Sequence, residues 1–90
     1  MSVAGKAGSE RPVKRSFSIE GHLTSISLER QFWEALKDAA AQEGVSLAAL
    51  VAKIDAGRGA AGLSSAVRIW ILDYFRLARA KASYDGGNRD

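Results

Sequence analysis

The stretch His22–Leu28, HLTSISL, decides how this chain folds. Apolar and polar residues alternate in it with a period of two, the pattern of a half-buried strand. Almost everything after it has helical spacing. A strand carries a row of backbone N–H and C=O groups that need partners, so the fold turns on what this strand pairs with. The alternation also assigns faces. Thr24, Ile26 and Leu28 point to one side, and Leu23, Ser25 and Ser27 to the other.

Upstream, RSFSIE (15–20) alternates in the same way, and Gly21-His22 is a candidate two-residue turn. Such a hairpin would set Phe17 opposite Ile26 and Ile19 opposite Thr24. A lone two-stranded hairpin is marginal in water, so the pairing question stays open. Downstream, ERQFWEALKDAAAQEG (29–44) places Phe32, Trp33, Leu36, Ala39 and Ala40 three and four residues apart, one apolar face of a helix. Gly44 is a C-terminal stop. Ser46 is the N-cap of a second helix whose stripe is Leu47, Leu50, Val51 and Ile54. GRGAAG (57–62) breaks the chain, and Ser64 or Ser65 caps a last helix, SAVRIWILDYFRLARAKA. That helix is apolar nearly all round, which requires burial on more than one side.

Both ends read as tails: 1–13 a flexible basic segment and 83–90 a disordered one, leaving one domain over 14–82. A core of this size buries only about 60% of its unfolded surface. Yet 47% of the residues are hydrophobic, with Phe32, Trp33, Trp70, Tyr74 and Phe75 among them. So much apolar content in so short a core points to a second chain. One arrangement answers both the lone strand and the greasy last helix. Two copies related by a two-fold axis would pair their strands antiparallel and pack their last helices, since a two-fold interface is self-complementary. The dimer interface is then expected at Thr24, Ile26, Leu28, Val67, Trp70, Ile71 and Tyr74.

At this point the sequence resembles the ribbon-helix-helix family of dimeric DNA-binding proteins. TSISLERQFWEALKDAAAQEGVS (24–46) is similar to the family's strand, first helix and turn, and LSSAVRIWILDYFR (63–76) to its second helix. RSFSI-x-GH-x-TSISLE (15–29) is similar to the start of a short bacterial subgroup. The likeness covers roughly residues 14–77. It implies a mainly α fold in which one N-terminal strand pairs across a homodimer and three helices follow, one of them inserted or appended relative to the family. SLAALVAKID (46–55) is taken as the insertion. It also implies a ribbon in the major groove, where base edges carry a distinct donor and acceptor code. Leu23, Ser25 and Ser27 would then face the bases. Lys14, Arg15, Ser46, Ser64 and Ser65 would hold phosphates, the serines at helix N-termini whose free N–H groups attract anions. The three helix-start serines have a structural role as caps in any case.

The formal charge of +3 is concentrated at the two ends, +2 over residues 1–22 and +2 over 63–90 against −1 between them. This permits nucleic-acid binding without demanding it. Expected partners are a second copy, with higher oligomers on DNA, and double-stranded DNA. The alternative is a dimeric protein-interaction module of the same fold, antitoxin-like, with a protein partner. There is no cysteine and a single histidine, His22, which reads as a turn residue; no metal, cofactor or catalytic residue is expected. GRGAAG lacks the preceding strand of a phosphate-binding fingerprint. No apolar run approaches the ~18 residues of a membrane span, and a cytoplasmic protein is expected.

Overall fold

The computed structural model describes residues 11–88, with side chains through 82. Two strands, β1 (Val13–Ile19) and β2 (His22–Leu28), are followed by three helices, α1 (Arg30–Glu43), α2 (Leu47–Gly57) and α3 (Leu63–Asn88). The mainly α architecture with an N-terminal ribbon stands. The mate of β2 does not. It is β1 of the same chain, antiparallel, and not a second copy. Most of the tail expected over 1–13 lies outside the described residues, as do the last two residues of the chain. The domain boundary expected at 82 falls inside α3, because Ala80, Lys81 and Ala82 favour helix and carry no stop signal.

The hairpin turns on Glu20-Gly21, one position earlier than Gly21-His22. Both residues have positive φ, 49° and 81°, as the type I′ turn requires, and that turn matches the right-handed twist of its strands. The register consequently pairs Phe17 with Thr24 and Ile19 with His22. Side chains alternate with a period of two, so a two-residue shift from the expected register leaves every residue on its expected face. The inner face carries Phe17, Ile19, Ile26 and Leu28 onto the helices, and Ile26 and Leu28 are fully buried there.

Trp33, Leu36, Ala39 and Ala40 form the buried stripe of α1. Gly44 ends it in the left-handed conformation, φ 71°. The Gly44 N–H donates to the Ala41 carbonyl and the Val45 N–H to that of Ala40, the paired bonds of a Schellman stop. Ser46 caps α2 as expected, its hydroxyl accepting from the Ala49 N–H at 3.0 Å. Leu50, Val51 and Ile54 of α2 join Leu63, Val67 and Ile71 of α3 in the same core.

The start of α3 departs from expectation. Its first helical bond runs from the Ala66 N–H to the Gly62 carbonyl, so Gly62 is the cap and Ser64 and Ser65 sit inside the first turn. The last helix has apolar residues on two sides, of which the chain itself buries one. Ile69, Leu72 and Leu77 stay 58%, 53% and 63% exposed.

Candidate nucleic-acid interface

The register sorts the hairpin into two faces. Pairs Lys14–Ser27, Ser16–Ser25 and Ser18–Leu23 share the outer one. The Ser16 and Ser25 hydroxyls meet there at 3.4 Å, and Leu23 stands 78% exposed. The result is a thin face of short hydroxyl side chains, with a lysine at one end and a leucine at the other. Ser16 and Ser18 belong to it as fully as Ser25 and Ser27 do. The alternation of RSFSIE was their signal once β1 is recognised as the mate.

Lys14 and Arg15, read together from sequence, point in opposite directions. Arg15 pairs with Ile26 on the inner face, and its guanidinium lies over the Trp33 ring, 5.2 Å from the centroid. Trp33 is tied to β1 in turn, donating its indole N–H to the Val13 carbonyl at 2.9 Å and lying 6.0 Å from Phe17. Arg15 is thus an amphipathic cover over a buried aromatic, with its charge still exposed at the ribbon's flank. Among the paired residues of the hairpin, Lys14 alone brings a cation to the outer face.

The end of β2 is held by α3. The Ser27 N–H donates to Ser64 Oγ at 3.1 Å, and the Ser27 carbonyl accepts from Arg68 Nη2 at 3.3 Å. These groups therefore face α3 and not β1, consistent with the alternating pattern of an antiparallel pair. Arg68 also grips Glu29 at 3.1 Å through both Nε and Nη2. It lies 5.7 Å from the Phe32 ring centroid. The partners of Arg68 are thus Glu29 and the Ser27 carbonyl of its own chain. Glu29 occupies the N-cap position of α1 without capping by its side chain. A hydrogen bond from its own backbone N–H, and next the one from Arg68, hold its carboxyl below the ordinary carboxylate range.

Ser64, expected at a phosphate, thus turns its hydroxyl onto the ribbon, placing the first turn of α3 beside the end of β2. Ser65 is exposed in that turn, and Ser46 is exposed at the start of α2. Four expected dimer residues, Ile26, Leu28, Val67 and Ile71, are already buried within one chain. Their burial needs no second copy. Thr24 is half-buried, as are Trp70 and Tyr74. Those two aromatics stack with centroids 4.9 Å apart. Tyr74 donates its hydroxyl to Glu43 Oε2 at 2.8 Å. That bond to a carboxylate raises the phenol's pKa and pins α3 to the end of α1.

Among the described residues no group of three or more His, Cys, Asp or Glu could hold a metal ion, and no helix is long and apolar enough to cross a membrane. The family model of the ribbon-helix-helix domain matches residues 12–75, a span that takes in both strands, α1, α2 and the first half of α3. Neither the curated proteins nor the solved structures give a match.

Proposed function

Because the chain belongs to the ribbon-helix-helix family, whose members are generally DNA-binding transcription regulators or antitoxins, we propose that it is a small homodimeric DNA-binding regulator. Its reading element is the outer face of the β1–β2 ribbon. The observation that carries this is the hairpin itself, whose inner face is fixed to the core by Ile26 and Leu28 and whose outer face is free and narrow. Strands lie about 4.8 Å apart, so a two-stranded ribbon fits a major groove about 12 Å wide. One chain therefore brings a complete ribbon. Leu23, Ser25 and Ser27 face the bases together with Ser16 and Ser18. Arg15 at the flank and the helix starts at Ser46 and Ser65 are placed in this reading against phosphates.

Dimerisation is assigned to α3. Ile69 and Leu72 are exposed apolar residues beside a groove of about 320 Å³ lined by Phe32, Ile71 and Phe75. Trp70 and Tyr74 flank that strip. Two copies joined there would present two ribbons, and a palindromic site with half-sites about one helical turn apart follows. The fold of the family is a regulatory and not an enzymatic one, and the reading places the protein in the cytoplasm with DNA.

The test is binding to mixed-sequence duplex DNA at two salt concentrations, with light scattering to count chains. Neutralising on the order of six phosphates per dimer predicts an affinity loss of ~10³-fold between 50 and 200 mM salt. Binding that is absent at 50 mM, or indifferent to salt, overturns the proposal. The α3 strip also favours a second reading, an antitoxin-like module whose apolar face holds a protein. A stoichiometric protein partner with no salt-sensitive DNA binding would decide for it.

A further inference from the structure

We infer that Lys14 is a base-reading residue, paired with Leu23 as the two specificity determinants of the ribbon. The inference rests on the DNA reading proposed above. The register is its basis. Lys14 shares the outer face with Ser16, Ser18, Leu23, Ser25 and Ser27, and the 3.4 Å contact between Ser16 and Ser25 fixes which face that is. Arg15, the neighbouring cation, is turned away over Trp33. Among the paired residues of the hairpin, Lys14 is thus the one long polar side chain on a face otherwise made of serines and a leucine.

Chemistry divides those residues. Serine hydroxyls donate and accept, so they bond to any base edge and discriminate little. They also keep the face thin, which brings the backbone close to the groove floor and delivers the Lys14 ammonium to that depth. An ammonium has three donors and no acceptor. In the major groove it matches the paired O6 and N7 acceptors of guanine. Leu23 has no polar atom and matches the thymine methyl.

The spacing follows from the strands. Lys14 and Ser18 are four residues apart on β1, and Leu23 is opposite Ser18. At ~3.4 Å per residue this separates the two readers by roughly 14 Å along the ribbon. DNA rises ~3.4 Å per base pair along its axis and the groove runs obliquely, so the readers fall about three to four base pairs apart. Each half-site should carry a guanine and a thymine at that spacing, with tolerant positions between them.

Selection from a random-sequence duplex library by the full chain, followed by titration of the selected site and its single-base variants, tests this. The expected result is a guanine–thymine pair at that spacing. Replacing the guanine should weaken wild-type binding by about 5- to 150-fold. Lys14→Ala should bind the original and the replaced site equally, and Leu23→Ala should lose only the thymine preference. A Lys14→Ala chain that loses affinity equally for every sequence, with its salt slope reduced by about one, marks a phosphate contact and overturns the inference while leaving DNA binding intact. No salt-sensitive binding by the wild type overturns both. Circular dichroism confirms that each variant is folded.

Discussion

The inner and outer faces of the hairpin follow opposite rules on the same two strands. Inside, Ile26 and Leu28 are fully buried and Phe17 meets Trp33. Outside, four serines lie between a lysine and a leucine that is 78% exposed. The difference teaches where stability and recognition reside. One face makes the ribbon rigid by burial, and the other is free to vary because its residues, half-buried Ser27 apart, are exposed. The sharpest way to break this division is to truncate one residue from each face. Ile26→Ala should cost about 2–5 kcal/mol, the usual result of deleting a buried aliphatic side chain and leaving a cavity. Leu23→Ala should stay within about 0.5 kcal/mol of wild type. Urea denaturation with matched m-values measures both, and similar losses in the two variants would show that the outer face is covered.

The two ends of β2 offer the same contrast on a smaller scale. At its far end the Ser27 backbone is taken by Ser64 and Arg68, while near the turn Leu23 is open. Ser64→Ala leaves the Ser27 N–H without its partner and should cost about 1 kcal/mol, whereas Ser25→Ala should be nearly silent. Hydrogen exchange would localise the loss to Ser27. Glu29 sharpens the comparison through pH. Its folded-state pKa is lowered by its own backbone N–H and by Arg68. The associated stability is therefore fully present above the unfolded carboxylate pKa and is lost as pH falls through the lower, folded one. Glu29→Gln should be less stable than wild type at neutral pH, with the gap closing on acidification. A gap that stays constant to about pH 3 would assign the Glu29 contribution to packing instead.

Much of this was legible in the sequence, for reasons that also explain what was not. Local signals located the strand, the three helices, the Gly44 stop and the Ser46 cap, because each depends on residues within one or two turns. Period-two alternation placed Leu23, Ser25 and Ser27 on the outer face whatever the register. The mate of β2 was another matter. A second copy and the RSFSIE segment satisfy its edge equally well in pattern, and only the Glu20-Gly21 turn decides between them. A glutamate is an unexpected residue at positive φ, so its signal was weak. The Glu29–Arg68 pair joins residues 39 positions apart, and no local pattern announces such a contact. Ser64 misled for the opposite reason. A serine near a helix start usually caps it, but the chain placed Gly62 there and turned Ser64 onto the strand.

That turn supplies the finest test of the division. Glu20 sits at φ 49° beside Gly21 at φ 81°, and a left-handed conformation costs a residue with a Cβ roughly 1–2 kcal/mol. Asparagine tolerates this region better, and Asn-Gly is the favoured pair for a type I′ turn. Glu20→Asn should relieve part of the strain and stabilise the hairpin by roughly 0.5 kcal/mol. Glu20 is exposed and lies at the tip, off both faces, so neither the core nor the outer surface should register the change. The expected outcome is a small rise in the urea midpoint with duplex affinity altered only by the lost negative charge, hence slightly tighter at low salt and equal at high salt. A fall in the midpoint would mean that Glu20 makes a compensating contact at the tip. A changed base preference would mean that the ribbon's two faces are not independent.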